Sequence, residues 1–159
     1  MRHVIEAGTD GAMICAFDAA ALPSDFDVRV EADALGLLEQ LKSEGLIWFG
    51  GTGGDGSYIV HVLVDELATL DIAVTRSWQG SLSVPSGRLW VCGAEYMARD
   101  PEVGGPTTPR GGLGRYEMGG AIRLQPGRYD IEAFDAQQAE DDESGQVTVS
   151  QLLQILPPT

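Results

Sequence analysis

Few side chains in this sequence could do chemistry, and they are scattered. Nucleophilic catalysis needs a base oriented beside the nucleophile, and the chain has two imidazoles, His3 and His61. His61 lies between Val60 and Val62 in an apolar run, which predicts a core histidine with its hydrogen bonds satisfied. Cys15 and Cys92 each sit inside an apolar, strand-like run, AMICAF and LWVCGA. They read as buried free thiols. There is no nucleophile elbow G-x-S-x-G and no Cys-His signature. The sequence predicts no catalytic residue and no enzyme.

Metal chemistry fares no better. Asp55 stands alone among the glycines of Thr52 to Ser57, where turn formation explains it. Glu140, Asp141, Asp142 and Glu143 form an uninterrupted acidic run without the alternating ligand spacing of a calcium loop, so the run reads as a solvated loop. No Cys/His spacing suits zinc. Neither a metal nor a cofactor is expected. The glycine-rich stretch from Gly50 to Gly56 lacks the lysine and following helix of a phosphate-binding loop.

Charge narrows the partners. The 159 residues carry 24 Asp plus Glu against 10 Lys plus Arg, a formal net of −14, and Lys42 is the only lysine. Such a field repels nucleic acid and anionic lipid and attracts basic proteins or divalent cations. Arg110 to Gly120 (RGGLGRYEMGG) has the composition of arginine-glycine nucleic-acid segments, but the net charge argues against that use. The start MRHVIEAGTD has no apolar signal region, and no apolar run is long enough to span a membrane. A cytoplasmic protein is expected, of one domain spanning residues 1–159.

The elements that would position these groups are mostly strands. The clearest β signal runs from Leu46 to Glu66, where Leu46 to Phe49 and Tyr58 to Val64 flank the glycine-rich stretch. It reads as a hairpin at the centre of the fold. His3 to Ala7 and Ala12 to Phe17 suggest another hairpin, and Asp25 to Val30 alternates like a half-buried strand. Gly80 to Val84 and Arg88 to Tyr96 flank a Pro-Ser-Gly turn, with Trp90, Cys92, Ala94 and Tyr96 on one face and Leu89 and Val91 on the other. Ala121 to Phe134 is hairpin-like about Pro126-Gly127. The best helix is Ala32 to Ser43, with an apolar stripe of Leu35, Leu38 and Leu41 widened by Leu37, capped by Asp33 and ended at Gly45. The fold class expected is mainly β, a two-sheet, Greek-key-like β-sandwich with one helix near residues 33–43; an α+β layer is the alternative.

Met97 to Gly120 is a long irregular segment rich in proline and glycine. It carries Arg99, Arg110 and Arg115 and is expected to be mobile and part of the working surface. Trp48 and Trp90 read as core, while Trp78, between Ser77 and Gln79, is the tryptophan expected to be exposed.

Leu124, Pro126, Gly127 and Tyr129 stand as L-x-P-G-x-Y, which resembles the strand corner of Greek-key sandwiches in which a tyrosine hydroxyl bonds back to the backbone. Together with AFD at Ala16 to Asp18, VPSGRLWV at Val84 to Val91 and LQPGRY at Leu124 to Tyr129, the chain resembles the small acidic β-sandwich proteins grouped with the competence protein J nuclease inhibitors. In character it is also similar to bacterial immunity proteins that neutralise basic toxins. The resemblance implies a cytoplasmic inhibitor or immunity factor for a basic partner such as a nuclease. The partner contacts expected from charge are Glu140, Asp141, Asp142 and Glu143, with Arg110 and Arg115 from the long loop. A small-ligand or carbohydrate-binding β module is the alternative, since loops on rigid sheets commonly carry sites.

Overall fold

The computed structural model describes residues 2–52, 56–64, 74–99, 119–136 and 151–156. Its strands are β1 (Arg2–Thr9), β2 (Met13–Phe17), β3 (Ile47–Gly51), β4 (Gly56–Val64), β5 (Val74–Val84), β6 (Arg88–Gly93), β7 (Gly119–Arg123), β8 (Gly127–Ala136) and β9 (Gln151–Leu156), and its helix is α1 (Ala34–Ser43). They form a five-stranded sheet of order β1-β4-β9-β8-β5 and a four-stranded sheet of order β3-β2-β6-β7. The ladders are antiparallel, apart from the parallel pair β4–β9. The mainly β, two-sheet reading with one helix is borne out.

Alternation along the strands builds two cores. Ala7, Tyr58, Val60, Val62, Leu82, Ile131 and Ile155 from the larger sheet meet Ile14, Ala16, Trp48, Leu89, Val91 and Ile122 from the smaller. The opposite face of the smaller sheet buries Cys15, Phe17, Ile47, Trp90 and Cys92 under Leu22, Phe26, Leu38, Leu41 and Met97. The helix therefore covers one face of one sheet, and the layer named as the alternative is present there too. The Trp90/Cys92 and Leu89/Val91 faces fall as alternation predicts.

The hairpins do not form as expected. β1 pairs with β4 while β2 pairs with β3 and β6. β3 and β4, the supposed central hairpin, lie in different sheets. The same holds for β5 with β6 and β7 with β8. In each case the two strands lie in opposite sheets of the sandwich instead of sharing a ladder. The reason is burial. Each strand has one strongly apolar face, and folding it onto its neighbour's apolar face removes both from water.

Two further local readings change. Asp25 to Val30 is not a strand. Asp27 makes an isolated bridge with Ala98, and Val28–Val30 is a 3-10 turn. Arg88 to Tyr96 stays a strand only to Gly93, after which Ala94–Tyr96 turns as a 3-10 helix.

The three motifs behind the family resemblance converge at these corners. The Asp18 carboxylate is 1% exposed. It accepts hydrogen bonds from the backbone N–H of Ser86 at 2.7 Å, the Ser86 hydroxyl at 2.7 Å and the N–H of Ala20 at 2.9 Å. Leu124 N–H in turn donates to the carbonyl of Gly87 at 2.7 Å. The Tyr129 hydroxyl donates to the backbone carbonyl of Gln125, so the expected tyrosine corner is present.

Gly87 has φ +79°, and a Cβ there would stand 2.5 Å from the Leu124 carbonyl oxygen. Gly87→Ala is therefore expected to cost about 2 to 3 kcal/mol from left-handed strain and backbone crowding together. Urea unfolding checks this as a lower midpoint at unchanged slope.

Candidate docking surface

The helix and its approach form a cap on the four-stranded sheet. Asp33 caps α1, its carboxylate accepting from Gly36 N–H at 3.2 Å. A Cβ on Gly36 would lie 2.4 Å from an Asp33 carboxylate oxygen, so this mid-helix glycine makes room for the cap. The helix ends where Leu46 N–H donates to the Leu41 carbonyl at 3.0 Å and Gly45 N–H to that of Lys42 at 3.1 Å. Leu38 and Leu41 are buried, Leu37 is half-buried, and Leu35, expected in the core stripe, is 52% exposed.

Beside the N-terminal half of α1 lies an apolar groove of about 290 Å³, lined chiefly by Met13, Val28, Ala34, Leu35, Leu38 and Ala94. Val30, next along the chain, is 77% exposed. One carboxylate lines this apolar centre, and others neighbour its lining residues in the chain. Glu95 lines the groove, its carboxylate held by the Thr9 hydroxyl at 2.8 Å and the Asp10 N–H at 2.7 Å. Asp27, Glu31 and Asp33 flank Val28 and Ala34 in the chain, and Asp10 adjoins the groove residue Gly11. Arg29 also lines the groove, but it forms a 2.7 Å ion pair with Asp27. The Arg29 side chain, hydrogen-bonded to Asp27, holds that carboxyl below its ordinary value. Being paired, Asp27 and Arg29 together add no net charge to the face.

Glu140, Asp141, Asp142, Glu143, Arg110 and Arg115, the contacts expected from sequence, lie outside the described residues, as does most of the Met97 to Gly120 loop. Arg99, at the described start of that loop, donates from Nη1 to the backbone carbonyls of Ala19, Ala20 and Leu22 at 3.1, 2.9 and 2.9 Å. Met97 is fully buried beside them.

The potential catalytic groups are arranged for packing. Cys15 and Cys92 oppose each other across β2 and β6 with their sulfurs 3.7 Å apart, both buried and free. Burial pushes the Cys92 thiol well above its ordinary value, which disfavours the nucleophilic thiolate. His61 is not a satisfied core histidine. It is half-buried, and its Nδ1 has no partner among the described residues. Among those residues no group of three or more His, Cys, Asp or Glu could hold a metal ion, and no helix is long and apolar enough to cross a membrane. None of the described aromatic side chains is exposed, so the row of solvent-facing rings that a carbohydrate module would show is not seen among them. Trp48 and Trp90 are buried as expected, and Trp78 is half-buried against the core.

His61 gives a pH prediction. Burial, then the nearby Arg2, lowers its folded-state pKa below the ordinary 6.5. Below pH 6.5 the unfolded chain takes up this proton first, so stability falls as pH drops toward the folded value. Denaturant titrations across that interval are expected to show the loss in the wild type and a shallower one in His61→Leu.

No family model matches this sequence, and no curated protein does. Two solved structures share the fold over essentially the whole chain. One, described as "Crocagin biosynthetic gene J", has a TM-score of 0.60 at 17% identity, covering 100% of this chain and 99% of that one. The other is ComJ from Bacillus subtilis, described as the inhibitor of the DNA degrading activity of NucA, with a TM-score of 0.51 at 7% identity, covering 99% of this chain and 96% of that one. The resemblance read from the sequence motifs is thus borne out as a shared fold.

Proposed function

We propose that this protein is a non-enzymatic binding protein that docks through its acidic cap on a basic protein, a nuclease being the partner class that fits best, and blocks it. The observation that carries the reading is the apolar groove, with Glu95 on its wall and further carboxylates beside its lining residues in the chain, on a fold shared end to end with an inhibitor of a DNA-degrading activity. A protein that acts on nucleic acid presents basic side chains to phosphates. Carboxylates beside an apolar centre compete for those side chains, steering encounter, while the groove supplies the desolvated contact that holds the complex. The acidic run Glu140 to Glu143 adds to the same field and, with Arg110 and Arg115, is retained as a set of further contacts. One domain and a cytoplasmic setting complete the proposal.

The test is capture from a lysate of the native organism on the immobilised chain, eluted by a salt gradient, followed by assay of the eluted protein on DNA. A basic nuclease that elutes at moderate salt and is inhibited by stoichiometric free chain is the expected result. Recovery of acidic partners only, or of a nuclease whose activity the chain leaves unchanged, would contradict the reading.

A further inference from the structure

The sole lysine of this acidic chain occupies an unusual place. Lys42, on the C-terminal half of α1, donates from Nζ to the Phe49 backbone carbonyl at 2.8 Å. The same nitrogen lies 4.5 Å from the centre of the Phe49 ring and 5.4 Å from that of Trp78. Although the chain has 24 carboxylates, none among the described residues forms an ion pair with Lys42. One backbone carbonyl and two ring faces leave an ammonium with donors to spare.

These groups wall a cavity of about 240 Å³, lined by Lys42, Trp48, Phe49, Gly50, Gly51, Trp78 and Asp135. Trp48 is 1% exposed, and its indole Nε1 finds no acceptor among the described residues. That N–H has essentially no surface open to the cavity and stands as a buried cost of the fold. Trp78 is laid across Gly80, where a Cβ would meet its ring at 2.3 Å. That glycine lets the ring lie where it faces Lys42.

We propose that this cavity binds a small organic carboxylate, held by the Lys42 ammonium, with its carbon skeleton against the Phe49 and Trp78 rings. Two features argue for an anionic group, and the volume sets its size. The cavity offers a cation with donors to spare close to aromatic walls. Its volume falls just below the range of about 300 to 1,000 Å³ typical of drug-sized ligands and suits a molecule the size of one amino acid. Burial also lowers the Lys42 pKa, with Glu39 only partly opposing it, so an arriving carboxylate would relieve a cost the free protein carries. Asp135 on the same wall supplies a counter-charge should the ligand also bear an amine. This site is separate from the docking groove and does not depend on the partner proposed above.

Two of the three tryptophans line the cavity, so intrinsic fluorescence reports on it directly. The full chain is titrated near neutral pH with phenylalanine, 3-phenylpropanoate, benzoate and acetate, with thermal shift as a second readout. At least one aromatic carboxylate is expected to bind with a Kd of about 1 mM or tighter. Lys42→Met is expected to weaken it about ten-fold or more at unchanged circular dichroism. Phe49→Leu removes one ring wall and keeps both tryptophans; its expected loss of about five-fold reads the same cavity if Lys42→Met does not fold. Phenylalanine binding more tightly than 3-phenylpropanoate would assign Asp135 to an ammonium, and the reverse order would leave the carboxylate as the whole determinant; both support the site. No response to any of the four at about 10 mM, or undiminished binding by a folded Lys42→Met, would overturn it and leave Lys42 as a clamp between helix and sheet.

Discussion

Replacing Asp18 with alanine is expected to cost about 3 to 5 kcal/mol, a large share of the stability of a domain this size. The carboxylate is almost wholly buried and takes hydrogen bonds from Ser86 N–H, Ser86 hydroxyl and Ala20 N–H. Alanine leaves two backbone N–H groups without their acceptor and opens a space between the cap and the β5–β6 corner. Ser86→Ala removes only the hydroxyl arm and should cost about 1 to 2 kcal/mol. Because the two residues share one network, the double variant should lose less than the sum. Denaturant unfolding of the four proteins measures all three quantities.

Leu35→Arg is expected to weaken partner binding about 100-fold, roughly 2.7 kcal/mol, while the melting temperature stays nearly unchanged. Leu35 is 52% exposed and sits at the groove, so its apolar surface is available to a partner and contributes little to the core. Arginine is as good a helix former as leucine, so α1 should persist. The substitution removes an apolar contact from the centre of the interface and sets a positive charge against a basic partner. Glu31→Arg, out on the rim, should act differently, slowing association and flattening its salt dependence with a smaller change in dissociation rate. Surface plasmon resonance of both variants separates the two effects.

Much of this fold was legible in the sequence, and the failures of strand pairing share a cause. Strand alternation placed Leu89 and Val91 opposite Trp90 and Cys92, and the capping residue Asp33 and terminal Gly45 bounded the helix. L-x-P-G-x-Y gave the tyrosine corner. What the pattern could not decide is how consecutive strands meet. Two alternating runs joined by a glycine- or proline-containing turn look the same whether they pair edge to edge or face one another through a core. Leu46 to Val64 is the plain case: Trp48 and Val60 bury into the same core from opposite sheets. That choice is made by long-range burial, which no short window contains.

The docking surface was hidden for a related reason. Leu35 falls on the apolar stripe of α1 and is indistinguishable there from Leu38 and Leu41. Only the packing shows that it is left exposed at the groove while the other two are buried. Glu95 lies in what reads as continuous strand, and its place at the groove depends on the 3-10 turn that follows Gly93 and on the grip of Thr9 and Asp10. Lys42 had one signal, its solitude among 24 carboxylates, which distinguishes it from a routine surface lysine only after the aromatic walls are known.

Hydrogen exchange of the chain, free and bound to the basic protein recovered at low salt, tests the central claim most directly. The account predicts slowed exchange on binding in peptides covering residues 27–38 and 94–96, the segments that line and rim the groove. Protection confined to the outer face of the five-stranded sheet, with exchange through the cap unchanged, would contradict it.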